Sequence, residues 1–159
     1  MKRRIKHVTV LGSGIMGSGI AAHFANIGVE VLLLDIVPFE LTEAEQKKGL
    51  TKEDKAVRNR IATESLAKLV KASPALLYKK EFAERISVGN FDDDLQKIKN
   101  TDWIIEVVVE RLDIKKSVYE KIEQFRKPGT LVSSNTSGIP INLLVQGRSD
   151  DFNHYFAGT

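Results

Sequence analysis

Short apolar runs rich in Val, Ile and Leu recur along the chain, at residues 5–11 (IKHVTVL), 29–35 (VEVLLLD), 85–89 (RISVG), 103–109 (WIIEVVV) and 130–134 (TLVSS). Runs of this length, apolar on both faces, are the signature of strands buried in a parallel sheet. A sixth strand is read in 152–157 (FNHYFA). Between the runs, apolar residues recur at helical spacing. Residues 15–27 form one such segment, closed by Gly28, and 53–72 form another, with its stripe at 57, 61, 62, 66, 69 and 70 and its end at Ser73-Pro74. Shorter helices are read at 92–99 and 140–146, and a longer one at 113–126, stopped by Pro128-Gly129. Thr42 and Thr51 are candidate N-caps, and Thr51 to Asp54 has capping-box spacing. Strands alternating with helices predict an α/β fold with a doubly wound parallel sheet. The stretch between the second and third strands is long for a crossover, so it is expected to be a helical insertion that projects from the sheet.

Composition changes this picture little. A chain of 159 residues, 42% hydrophobic, suffices for one domain and is short for two. There is no cysteine, which excludes a disulfide framework, thiolate metal sites and a cysteine nucleophile. His7, His23 and His154 are too scattered to suggest a metal centre. No apolar run approaches the roughly 20 residues that span a bilayer. The basic start Met1-Lys2-Arg3-Arg4 leads into a strand without a small-residue cleavage site, so no secretory leader is expected and a cytoplasmic location is the default.

Charge is less even than the net +3 implies. From Lys47 to Lys80 there are ten Lys/Arg against three acids, a +7 segment on a body of −4. A basic arm of this kind is either a solvated helix or a binding face for a phosphorylated ligand. Aromatic residues do not interleave with its cations, which argues against nucleic acid.

Three clusters are candidates for chemistry. Gly12-Ser13-Gly14-Ile15-Met16-Gly17 follows a strand and opens a helix, and Asp35 ends the next strand 18 residues after Gly17. In that context GxGxxG is the dinucleotide-binding signature of a Rossmann-type fold: the first glycine turns the chain, the second admits a pyrophosphate and the third lets helix and strand pack. The helix N-terminus favours the phosphates. Asp35 can accept both adenosine ribose hydroxyls and would repel a 2′-phosphate, and Ile36 and Val37 offer no cation to neutralise one, so NAD is preferred to NADP. The competing reading is a tight strand–helix turn that binds nothing. The second cluster is Glu106 and Glu110 at the carboxyl end of strand four, where ligands of such sheets sit; Glu106 interrupts an apolar run and needs buried partners, and Glu110 reads equally as a ligand-facing side chain or as a loop acid with no role. The third is Ser133-Ser134-Asn135-Thr136-Ser137-Gly138 after strand five, equally readable as a helix cap or as ligand-binding hydroxyls.

Taken together, GSGIMGSGIA, the strand-end Asp35, EVVVE with Leu112 and Lys115, and SSNTS resemble the NAD-binding domain of the L-3-hydroxyacyl-CoA dehydrogenases of fatty-acid β-oxidation, most of all the bacterial multifunctional type. The resemblance runs over residues 5–159. It implies that Gly12, Ser13, Gly14, Ile15, Met16, Gly17 and Asp35 hold NAD, that Glu110 and Lys115 meet its nicotinamide half, and that Ser137 is shared between cofactor and substrate hydroxyl. Ser65 matches a serine used toward coenzyme A. The family's lysine seven positions further on falls on Ala72, leaving Lys68 or Lys71 as replacements, and Gly138 stands where many members have serine. Coenzyme A would then be the ligand of the basic arm, residues 40–84, with Arg58, Ser65 and Lys68 near one helix face.

The reaction implied is hydride transfer from an L-3-hydroxyacyl-CoA to NAD with a histidine as base. That histidine would follow Thr159, so 1–159 is expected to be an incomplete NAD-binding domain, without the family's helical carboxyl-terminal domain and without turnover of its own. An acyl-CoA substrate and a homodimer in the full-length protein are expected, and no metal. A stand-alone NAD-sensing module and a hydroxy-acid dehydrogenase that does not use CoA are the alternatives.

Overall fold

The computed structural model describes residues 3–159; the reading of Met1 and Lys2 as part of a basic start lies outside the described residues. Six strands form one all-parallel sheet: β1 (His7–Leu11), β2 (Glu30–Asp35), β3 (Ile86–Asn90), β4 (Trp103–Glu106), β5 (Leu131–Ser134) and β6 (Phe156–Gly158), in the order β3-β2-β1-β4-β5-β6. This is the doubly wound order expected, with its switch point between β1 and β4. Register aligns the carboxyl ends: Leu11 lies opposite Leu34 and Glu106, and Glu106 opposite Ser134. Gly12, Asp35, Val107 and Asn135 therefore leave the sheet along one edge.

Each face carries its own core. One is built from Val8, Val10, Val31 and Leu33 under the alanine-rich helix α1 (Ile15–Asn26). The other joins Leu11, Leu34, Ile104 and Val132 to Tyr119 and Ile122 of α5 (Leu112–Phe125). Burial of such side chains on both faces supplies about 1.5–3 kcal/mol each and explains why the strands read as uninterrupted apolar runs.

Between β2 and β3 lie α2 (Glu43–Lys47), α3 (Lys55–Arg58) and α4 (Arg60–Val70). The insertion is present, with two corrections. The helix expected over 53–72 is broken at Asn59, whose carboxamide oxygen accepts from Asn90 Nδ2 at the end of β3, 2.7 Å away. And α4 does not project: Ala62 and Leu69 are buried, Leu66 and Val70 pack on the sheet core, and α4 serves as the crossover helix. The capping box forms at Thr42 with Glu45, whereas Asp54 folds back onto Thr51 ahead of α3 without Thr51 capping it.

Two strands are also shorter than expected. β4 ends at Glu106, because the Val108 amide turns to the Glu106 side chain, 2.8 Å away. The segment read as a strand at 152–157 begins as a helix: α7 (Asp150–His154) is capped by Ser149 Oγ, and only Phe156–Gly158 is strand. Residues 95–100 form a 3₁₀ turn rather than an α-helix, and α6 (Ile141–Leu144) is a single turn.

Candidate functional site

Gly12 adopts φ 107°, and a β-carbon there would stand 2.5 Å from the carbonyl oxygen of Val107. Only glycine allows this turn against the end of β4. A β-carbon on Gly17 would lie 1.9 Å from the Gly12 carbonyl oxygen, so the third glycine sets the close approach of α1 to β1. Gly14 differs: nothing lies within 4 Å of where its β-carbon would be, and no side chain caps α1. The first backbone bond of the helix runs from the Ser18 amide to the Gly14 carbonyl, so the amides ahead of it have no helical partner. Open space over uncapped amides at a helix N-terminus fits a pyrophosphate. Ile15 and Met16, both exposed, flank that space.

Asp35 stands at the end of β2 beside the loop. Its Oδ2 accepts from Ser13 N and Ser13 Oγ, each at 2.6 Å, and its Oδ1 accepts from Ile36 N at 2.7 Å. The carboxylate is half-buried and keeps acceptor capacity on Oδ1. This geometry fits the adenosine ribose, and among the described residues no cation is paired with the carboxylate. The Ser13 hydroxyl also lies 3.1 Å from Ser65 Oγ on α4, a contact the spacing of residues 13 and 65 could not announce.

The two glutamates separate into distinct roles. Glu106 is wholly buried and accepts from Tyr119 Oη (2.5 Å), Ser134 Oγ (2.6 Å), Lys115 Nζ (2.7 Å) and Val108 N (2.8 Å). Burial and the Glu106 charge hold the Tyr119 phenol protonated, far above its ordinary range. Lys115, expected to reach the cofactor, is instead wholly buried: it lies between Glu106 and Glu110, 3.3 Å from the Glu110 carboxylate. No part of its side chain reaches solvent, and its contact toward the carboxyl edge is with Glu110.

Glu110 is exposed at the carboxyl edge. Its carboxylate accepts from Thr136 Oγ1, from Gly138 N at 3.1 Å and from Lys115. The Thr136 hydroxyl, then the Gly138 amide and Lys115, pull its pKa down to about 2. The loop after β5 is thus tied to the loop after β4. Within it, Ser133 accepts from the Trp103 indole, Ser134 donates to Glu106, and Thr136 is taken up by Glu110. No member caps α6, whose N-cap is Pro140, so the cap reading of this cluster is set aside. Ser137 is exposed. Thr136, read in the sequence only as one of a run of hydroxyls, is the residue that joins the two loops.

The basic arm is less free than its charge implies. Arg58 is engaged by Asp93 at 2.6 Å and Arg60 by Glu45, and Arg58 ends α3, so it is not on the helix that carries Ser65 and Lys68. Ser65, Lys68 and Ala72 line one cavity of about 320 Å³ against Ser13 and Gly14, whereas Lys71 is exposed elsewhere on the helix. His7 begins β1 beside Asp102 and His154 ends α7, whereas His23, two turns along α1, lines a cavity of about 380 Å³ with Ser133, Asn135 and Thr159. Among the described residues there is no cluster of side chains able to hold a metal ion, and no helix is long and apolar enough to cross a membrane.

Comparison with known proteins agrees with this geometry. Residues 7–158 match the family "3-hydroxyacyl-CoA dehydrogenase, NAD binding domain". A probable 3-hydroxyacyl-CoA dehydrogenase of Bacillus subtilis is 53% identical over 159 residues, 100% of this chain and 20% of that protein. A putative fatty acid oxidation complex trifunctional enzyme of Rickettsia felis is 36% identical over the whole chain, again 20% of its own length. Among solved structures, (S)-3-hydroxybutyryl-CoA dehydrogenase PaaH1 from Ralstonia eutropha superposes with a TM-score of 0.67 at 28% identity, over 98% of this chain and 48% of that one. The chain thus spans from a fifth to about half the length of these relatives. With 53% identity along its whole length and a family match over residues 7–158, the chain belongs to the NAD-binding domain family of the 3-hydroxyacyl-CoA dehydrogenases.

Proposed function

We propose that this chain is the cofactor-binding part of an enzyme that oxidises L-3-hydroxyacyl-CoA to 3-ketoacyl-CoA in fatty-acid β-oxidation. The observation that carries the proposal is the carboxyl edge itself: an open, uncapped α1 N-terminus, the Asp35 carboxylate with acceptor capacity left on Oδ1, and a tied loop presenting Ser137 lie along the same edge of the sheet. NAD, when bound, supplies the hydride acceptor. Gly12, Ser13, Gly14, Ile15, Met16 and Gly17 hold its pyrophosphate, and Asp35 holds the adenosine ribose. Glu110 faces the nicotinamide half, kept ionised and placed by Lys115 and Thr136. Ser137 donates to the substrate oxygen or the cofactor carboxamide. No histidine of this chain is assigned the role of base.

Coenzyme A is proposed for the α4 side. Lys68 is the cation in place for its phosphates, since it shares the cavity with Ser65 and stands one turn before Ala72, while Lys71 does not line it. Residues 40–84 form the arm of a domain that is otherwise the sheet. Cytoplasmic location and homodimerisation of the whole protein belong to the same proposal, to be tested by fractionation and by ultracentrifugation. The direct test is calorimetry of the 159-residue chain with NADH and with acetoacetyl-CoA. Binding of both supports the reading; binding of NADH alone would leave a dinucleotide module with no acyl-CoA function.

A further inference from the structure

The open space beside Gly14 is shared with α4. Nothing lies within 4 Å of where a Gly14 β-carbon would stand, and the adjoining cavity of about 320 Å³ is bounded by Ser13 and Gly14 on the loop and by Ser65 and Lys68 on the helix. Ser13 Oγ lies 3.1 Å from Ser65 Oγ, a contact that docks α4 on the glycine loop. Lys68 follows Ser65 by one helical turn, so the two share a face. Leu69, Ala72 and Leu76 give the cavity an apolar wall.

A dinucleotide brings a negative charge on each phosphate of its pyrophosphate to this place. The loop from Gly12 to Gly17 holds no cation, and Ile36 and Val37 after Asp35 hold none. The α1 N-terminus supplies the equivalent of about half a positive charge. Most of the phosphate charge is thus left unbalanced, on the same loop that carries the Asp35 carboxylate. Among the described residues, Lys68 is the one charged side chain that lines the cavity, and it has no ion-pair partner. Arg58 and Arg60 are held by Asp93 and Glu45, and Lys71 does not line that space. An ammonium on a flexible stem serves a phosphate as a point charge, and the apolar wall limits its screening.

We propose that Lys68 is a phosphate ligand of the dinucleotide: α4 lays its ammonium against the pyrophosphate over Gly14, so the helical insertion takes part in NAD binding. The inference rests on the reading of the α1 N-terminus as the pyrophosphate site. It gives Lys68 a ligand besides coenzyme A, and titrations without coenzyme A isolate that role.

The test is calorimetric titration of NADH and of ADP-ribose, without coenzyme A, into the 159-residue wild type, K68Q, K68R and K71Q. At about 0.01 M salt K68Q should bind both ligands about fivefold more weakly, and at about 1 M salt the deficit should close, because charges are then screened beyond about 3 Å. K68R keeps the charge and should stay within about twofold of the wild type, and K71Q should match it. Lys68 is exposed, so these variants should melt with the wild type. Unchanged affinity in K68Q, an equal loss in K71Q, or a loss that persists in high salt overturns the proposal. A loss for NADH without one for ADP-ribose overturns it too, since both carry the same pyrophosphate. Failure of the wild type to bind either ligand would instead strike the reading of the α1 N-terminus, and the role of Lys68 falls with it.

Discussion

The Lys115 ammonium lies 2.7 Å from Glu106 Oε1, and neither side chain reaches solvent. An ion pair so placed is sustained by the further donors on Glu106, from Tyr119, Ser134 and the Val108 amide. It ties β4, β5 and α5 together directly beneath the carboxyl edge. Lys115 also reaches Glu110, so the pair links the buried core to an exposed site residue.

Removing one partner of this pair leaves the other charge buried. K115M and E106Q should each cost about 3–5 kcal/mol of stability. The double variant should cost clearly less than the two together, because neither charge is then stranded. Urea unfolding of the four proteins checks this, and additive losses would mean that the two side chains do not act as a pair.

Glu110 makes stability depend on acid. Its folded-state pKa of about 2 lies below the ordinary 4.5, so its contribution is fully present above pH 4.5 and is lost as the pH falls toward 2. The stability gap between the wild type and E110Q should be constant near neutrality and shrink across that window. A gap unchanged down to pH ~2 would contradict the contacts from Thr136, Gly138 and Lys115.

The glycines should separate folding from binding. G14A meets nothing within 4 Å, so it should keep its melting temperature and bind NADH more weakly. G17A drives a β-carbon into the Gly12 carbonyl and should lose both. Thermal melts with parallel NADH titrations decide the matter, and equal behaviour of the two variants would count against a pyrophosphate over Gly14.

On the coenzyme A side, K68E should weaken acetoacetyl-CoA binding severalfold, and K71E should have little effect, because only Lys68 lines the cavity with Ser65. Competition titrations give the comparison. Equal losses would place the ligand outside that cavity.

Much of this was legible in the residues. Buried β-branched runs located β1 to β5 because a parallel sheet covered on both faces leaves no polar alternation to confuse the reading. The turn at Gly12 and the close helix–strand packing at Gly17 were legible because each is local to one strand–turn–helix unit. The misreadings share a cause in contacts between segments remote in sequence. Asn59 breaks a well-patterned helix because Asn90 captures it from β3. Glu106 stops β4 early by turning back to the Val108 amide. Phe152 and Phe156 mimic strand alternation, yet both pack against Tyr119 while Ser149 caps α7; the cap and the two acids after it were the available signal. Lys115 sat at the expected position, but its burial depended on the Glu106 pocket, and no local pattern encodes that.

The central claim is that Asp35 and the glycine loop bind NAD, and calorimetric titration of NADH and NADPH into the wild type, D35A and E43A tests it most directly. NADH should bind the wild type and E43A alike, and D35A about 10–100-fold more weakly, the worth of hydrogen bonds to a charged group. NADPH should bind the wild type far more weakly than NADH. Equal affinities for the two dinucleotides, or equal effects of D35A and E43A, would contradict the ribose role of Asp35 and with it the account of the site.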